Sequence, residues 1–280
     1  MSSLKLYNEV TAQSSKYTTL LYSSSFSSAI GLLDKSLRQP IYDIYGFVRF
    51  ADEIVDTFHD YDKEDLLAKF KADTYEALDK GISLNPILHR FQLTYNQYNI
   101  DRSLLDAFLY SMEMDLCQQY HNEESYNKYI FGSAEVVGLM CLKLFCKGNQ
   151  AQYEALRPSA QRLGAAFQKV NFLRDIKADF VGMERMYFPN CDFSNFTIED
   201  KEAIEADIQA DFEAALEGIK VLPSNCRFGV YLAFKYYFAL FKKIKRTKHG
   251  ALLSSRIRIP DYGKFFILIK AKIRTSLNFL

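Results

Sequence analysis

An all-α fold is predicted by three observations. Apolar residues recur at three- and four-residue intervals over long stretches, which is the helical period. Glycine and proline are sparse, 12 and 6 in 280 residues, so few breakers interrupt those stretches. Alternating apolar and polar runs bounded by turn residues, the sign of strands, are hard to find. Roughly eight to ten helices of ordinary length would account for the chain. Hydrophobic residues make up 49% and charged residues 25%, enough for a sizeable core and too apolar for disorder. No linker or low-complexity tract divides residues 1–280, and no solenoid repeat is present, so a single domain is expected.

The elements follow in order. Tyr17 to Leu33 is uncharged, rich in serine and threonine, and short for a membrane span. Within it Ser23 and Ser25 suit helix starts. GFVRFADEIVDTFHD sets Asp52 and Asp56 four residues apart, with Arg49 one turn before and Phe50, Ile54 and Val55 alongside. LLAKFKADTYEALDK and LLDAFLYSMEMDL are helical by period. In YIFGSAEVVG the small residues suit close packing or a cavity wall, and the lysine and spacing of a phosphate loop are missing. QKVNFLRDIKADF repeats the acidic spacing with Asp175 and Asp179, next to Arg174, Phe172, Leu173 and Ile176. The irregular stretch DFVGMERMYFPNCDFSNF reads as a loop over a site. EAIEADIQADFEAALEGIKVL returns to helical period. Prolines 40, 86, 158, 189, 223 and 260 are expected mostly at helix boundaries.

Charge and cysteine usage exclude several classes. A net charge of +1 predicts no nucleic-acid partner. The five cysteines form no CxxC pair and have no histidine at zinc-ligand spacing, which suggests reduced thiols in a cytosol. His59, His89, His121 and His249 read as ordinary surface residues. Lys5, Glu9 and Lys16 stand where a signal peptide would be apolar. A cytoplasmic protein is expected, at most peripheral to the inner face of the membrane. The membrane contact would come from the C-terminal region, where eleven lysines and arginines from Lys242 onward face one acid, Asp261. Phe265, Phe266, Ile267 and Leu268 are interleaved with them. Such a run is either a solvated face or a contact with anionic lipid.

The acidic pairs have two readings. Carboxylates four apart on a helix share one face, and a lone pair of this kind is ordinarily solvated. Here both pairs stand among apolar residues, where unpaired ions would cost several kcal/mol each. A divalent cation removes that cost. Oxygen donors without histidine or cysteine suit magnesium, or manganese, rather than zinc. Magnesium takes one or two carboxylates and completes its shell with water and phosphate. Nearby arginines would bind the remaining phosphate oxygens.

At these residues the chain resembles the squalene/phytoene synthase family, the head-to-head prenyl-diphosphate synthases. RFADEIVD is similar to the first aspartate-rich motif and NFLRDIKAD to the second. YSSSFSSAIGLL resembles the family's serine-containing segment, YIFGSAEVVG its mid-chain helix, and ERMYFP its flap. SSRIRIPDYGK resembles the end of the bacterial phytoene synthases. The resemblance implies a single-domain isoprenoid-synthase fold with helices around a central cavity. It implies magnesium bound by Asp52, Asp56, Asn171, Asp175 and Asp179. It assigns diphosphate contacts to Tyr22, Ser23, Ser24, Ser25, Tyr45, Arg49, Gln168 and Arg174. Tyr129 matches the tyrosine that begins the mid-chain helix, Tyr187 a flap residue, and Tyr237 a residue near the end of the cavity. Two departures are present: Glu53 replaces a second aspartate, and Lys177-Ala178 replaces a common glycine and acid. The loop before Tyr187 is slightly longer than in the family, which weakens the match of Arg185 to the flap ligand.

The implied activity is condensation of two geranylgeranyl diphosphates to phytoene through a cyclopropyl diphosphate, in carotenoid biosynthesis, with no NADPH. A farnesyl-diphosphate-using synthase of squalene, dehydrosqualene or hydroxysqualene is the alternative. A non-catalytic relative acting as a scaffold is a third reading, and retention of all four aspartates argues against it. On helices Ile30 and Tyr42 would reach further along the cavity wall, where they would bear on chain length.

Overall fold

The computed structural model describes residues 3–117, 121–177, 187–189, 197–252 and 257–276. Among the described residues there are thirteen α-helices, one π-helical turn and no strand. They are α1 (Ser3–Tyr22), α2 (Ser24–Ile30), α3 (Lys35–Asp56), α4 (Lys63–Lys80), α5 (Pro86–Tyr98), α6 (Arg102–Cys117) and α7 (Glu123–Ile130). After the π turn (Phe131–Glu135) come α8 (Val136–Cys146), α9 (Gln150–Lys177), α10 (Ile198–Val221), α11 (Ser224–Arg246), α12 (His249–Leu252) and α13 (Asp261–Ser276). The all-α expectation holds, and the helix number is higher than expected. Short pieces such as α2 and α12 carry too little periodic pattern to be counted from sequence.

Local chemistry sets many of the boundaries. Ser23 caps α2, Asp34 α3, Asp62 α4 and Asn85 α5, each accepting a main-chain N–H from the first turn. Pro86 follows at the start of α5, where its missing N–H costs nothing. Reciprocal capping boxes open α7 (Asn122 with Ser125) and α10 (Thr197 with Asp200). Gly81 ends α4 at φ 69°, a conformation suited to glycine. Pro40 and Pro158 depart from the boundary rule and lie inside α3 and α9. Each forgoes one main-chain hydrogen bond, and the surrounding packing keeps the helix continuous.

α9 runs through the middle, packing on α8, α10, α11 and the π turn. α3 packs on α1, α4, α5, α6 and α8. Phe47 of α3 stacks on Phe91 at 3.9 Å, with Phe70 and Phe108 around it. The run Glu123–Cys146 is long and apolar enough to cross a membrane by composition. In the fold its Val136, Leu139 and Met140 are fully buried, so it reads as a core element. The π turn is held between two helices: a Cβ on Gly132 would lie 2.4 Å from the Ala107 carbonyl oxygen of α6, and one on Gly164 of α9 would lie 2.6 Å from that of Ala134.

Polar groups also enter the core. Asp43 accepts from Arg90, Gln39 and Thr94; burial raises its pKa, and Arg90 opposes the rise. Lys169 bridges Asp207 and Asp211. His89 is buried, contrary to the surface reading. Its Nδ1 accepts the Ser83 N–H and its Nε2 pairs with Asn8 Oδ1 at 2.8 Å, fastening α5 to α1. His121 is buried too. The amphipathic pattern of α1 is inverted. Thr11, Ser15 and Thr19 face inward, and Gly46 of α3 lies so close that a Cβ there would be 3.4 Å from Ser15 Cα. Leu6, Val10, Tyr17 and Leu21 are left facing out.

Candidate active site

One cavity of about 710 Å³ lies among α2, α3 and α6–α11. One end is polar. Tyr45, Arg49, Asp52 and Asp56 recur along α3 at intervals of four, three and four, so they share a face of the helix, and all four line the cavity. From α9 come Gln168, Asn171, Arg174 and Asp175; α11 adds Tyr237. Tyr22 and Ser23 stand at the α1–α2 junction, and Tyr129 and Tyr187 complete the lining. The rest of the lining is apolar, with Ile30, Leu33, Ala215 and Ala233 among it; Gly218 and Gly229 belong to it too, packed closely on Ser159 and Leu33.

Some expected residues lie elsewhere. Ser24 and Ser25 do not line the cavity. Ser24 is exposed and accepts a hydrogen bond from Lys264 Nζ at 2.6 Å, because successive positions at a helix start point in different directions. Tyr42 is buried away from the cavity, where Ile41 and Ile44 take the wall instead. Asp179 and Arg185 lie outside the described residues, as does most of the loop that follows the second acidic pair. The serines keep a structural part as well: Ser23 is the α2 cap.

The electrostatics are dominated by burial. Burial first, and the Asp56 carboxylate second, raise the Asp52 pKa to about 8 against the pull of Arg49. Arg49 pairs with Glu53, lies 4.5 Å from the Tyr22 ring centroid, and keeps a buried Nε without a hydrogen-bond partner. Arg174 forks onto Asp175, with Nε at 3.1 and 3.0 Å from the two carboxylate oxygens. Burial pushes Tyr45 up to about 12 and raises Tyr237, which Arg174 and Asn171 counteract.

Asp115 was not singled out from sequence. Its Oδ2 accepts from the Tyr129 hydroxyl at 2.7 Å and its Oδ1 from the Tyr187 hydroxyl at 3.2 Å. It lines the cavity and is 7% exposed. Tyr187 stacks on Phe172 at 4.1 Å, and His121 stacks on the Tyr187 ring. Burial first, then Asp115, raises the Tyr129 pKa. A signal was available: Asp115 falls on the stripe of Phe108 and Met112 along α6, where the period calls for an apolar residue.

The donors fit a hard divalent cation. Burial, and then the Asp56 carboxylate, oppose the charge on Asp52, and a bound cation would offset both. Asn171 Oδ1 is a buried oxygen with no hydrogen-bond partner. Among the described residues no three acidic, histidine or cysteine side chains converge as a ready cage. One or two carboxylates, an amide oxygen, water and phosphate form the kind of shell that magnesium takes.

The fold is that of the all-α isoprenoid synthases. A dehydrosqualene synthase crystallised with a ligand superposes with a TM-score of 0.82 at 18% identity, covering 96% of this chain and 98% of that one. Among sequences, a presqualene diphosphate synthase of Rhodopseudomonas palustris is 27% identical over 255 residues, 89% of this chain and 84% of the relative. A phytoene synthase of Arthrospira platensis is 26% identical over 310 aligned positions, 98% of this chain and 94% of the relative. Residues 21–262 match the squalene/phytoene synthase family. The chain belongs to that family, whose members are head-to-head prenyltransferases.

Proposed function

We propose that this protein joins two geranylgeranyl diphosphates head to head and releases phytoene. The observation that carries the reading is the division of one cavity into a polar end of carboxylates and arginines and an apolar remainder that includes Ile30, Leu33, Ala215 and Ala233. A prenyl diphosphate has the same division. The choice of the twenty-carbon chain rests on SSRIRIPDYGK, which resembles the end of the bacterial phytoene synthases.

Arg49 and Arg174, released from Glu53 and Asp175, bind diphosphate oxygens. Asp52, Asp56, Asn171 and Asp175 would hold magnesium, which when bound neutralises the diphosphate and weakens its bond to carbon. Loss of that diphosphate leaves an allylic cation, which the double bond of the second substrate attacks; proton loss closes the cyclopropane. Ionisation of the second diphosphate, rearrangement and loss of another proton complete the polyene. Asp115 accepts a hydrogen bond from each tyrosine hydroxyl, so the Tyr129 and Tyr187 oxygens keep lone pairs to offer to positive charge. The aromatic wall excludes water that would quench the cation. The last step releases a proton, so the reaction needs no NADPH.

The fifteen-carbon alternative rests on the presqualene diphosphate synthase relative. Incubation with each prenyl diphosphate and magnesium, with and without NADPH, followed by mass analysis, separates the two. A forty-carbon hydrocarbon independent of NADPH, abolished by chelation and restored by magnesium, is expected. A thirty-carbon product overturns the substrate assignment.

A further inference from the structure

The outer face of α13 is apolar. Tyr262, Phe265, Phe266 and Ile269 are 72%, 59%, 59% and 39% exposed. They fall within a narrow arc of the helix, and exposed Lys270 and Lys272 flank it. The opposite face carries buried Ala271 and the core-packed Ile267 and Leu268, so of the interleaved Phe265, Phe266, Ile267 and Leu268 only the two phenylalanines are free to meet lipid. A helix bathed in water would carry polar residues on its outer face.

The position of this helix adds a second observation. Lys264, on its first turn, donates to Ser24 at the α1–α2 junction. That junction is the cavity rim: Tyr22 lines the cavity and is half exposed, and Leu21 beside it is 83% exposed. The outward residues of α1 lead to the same point. On the α13 side basic residues surround the apolar surface, with Asp261 the sole acid after Lys242, and α1 adds Lys5 and Lys16 against one acid, Glu9.

We propose that the outer faces of α13 and α1 form one docking surface for an anionic lipid bilayer, with the cavity rim turned toward it. The charge pattern selects the occupant. Aromatic side chains with flanking lysines suit the headgroup boundary, where rings enter the apolar layer and ammonium groups reach anionic lipid. The proposal takes from the prenyl-transfer reading only the reason for such placement, delivery of a hydrocarbon into lipid. Its test needs no turnover.

Flotation with phosphatidylcholine vesicles, with and without phosphatidylglycerol, tests it. Wild type is expected to float with the anionic vesicles and much less with the neutral ones. Lys270→Gln with Lys272→Gln should lower partitioning at low salt by roughly five-fold per charge, with little effect at high salt. Phe265→Ser with Phe266→Ser should lose flotation at either salt level, and Leu21→Ser with Tyr17→Ser should weaken it. Circular dichroism checks that each variant is folded. Equal flotation of wild type and the phenylalanine variant overturns the proposal, as does failure of wild type to float. A dimer in size exclusion that the phenylalanine variant converts to monomer, without flotation, assigns the face to a second copy and also overturns it.

Discussion

Asp52 sits where burial and a neighbouring carboxylate both oppose its charge, and the fold keeps it there. Removing that charge should cost function while leaving structure intact. Asp52→Asn, Asp56→Asn and Asp175→Asn are each expected to lower turnover by about two orders of magnitude or more, since several kcal/mol of charge stabilisation are involved. Asp179→Asn is expected to do the same from its place in the second motif. Steady-state rates with circular dichroism check this; retained activity in the Asp56 and Asp175 variants would sink the metal-site reading. Asp115 calls for a different experiment. Asp115→Asn should lower kcat by roughly 10- to 100-fold, the worth of hydrogen bonds to a charged group, with KM little changed. Tyr129→Phe should then add less in the Asp115→Asn background than alone, because the two act as a pair. Full additivity would separate them.

At the scale of elements, the clasp between α1 and α5 makes a pH-dependent contribution. Ser83 N–H points at Nδ1 of His89, so a proton there would meet a donor. Burial first, and Arg90 second, lower the pKa of His89 below its ordinary 6.5. Below pH 6.5 the unfolded chain therefore binds more protons than the native one, and stability falls as pH drops through that value toward the folded pKa. Urea midpoints between pH 7.5 and 5 should show this fall, with a shallower slope in His89→Gln. An unchanged slope would remove His89 as a cause. On α2, Ile30 lines the cavity from a buried position. Ile30→Phe should shift preference toward farnesyl diphosphate by roughly ten-fold, the range for hydrophobic-pocket discrimination; competition between substrates, read by product mass, checks it.

Across the whole molecule, the parts legible in the sequence were those with a local period or a local motif. The acidic pairs are legible because spacing along the chain needs no tertiary knowledge, and α3 carries Asp52 and Asp56, and α9 Asp175, into one cavity. Asp115 joins residues 14 and 72 positions away, and no local pattern announces such a meeting. Ser24 and Ser25 were separable from Ser23 only through the exact turn at which α2 begins. His89 looked like a surface residue because its partners, Asn8 and Ser83, come from an earlier helix and a loop. The inverted α1 escaped notice for a related reason: Thr11, Ser15 and Thr19 are buried by their small size against α3 and α5, where hydrophobicity alone would have turned that face outward.

The π turn at Phe131–Glu135 separates two kinds of tolerance. Such a turn holds one residue more than an α-helical turn. Deleting one of the five would let it close as an α turn and leave the helix beyond near its present facing, so Val137, Gly138 and Cys141 would stay at the cavity wall. A side chain is another matter: a Cβ on Gly132 would lie 2.4 Å from the Ala107 carbonyl oxygen. At this place the chain can give up a residue more easily than it can gain a methyl group.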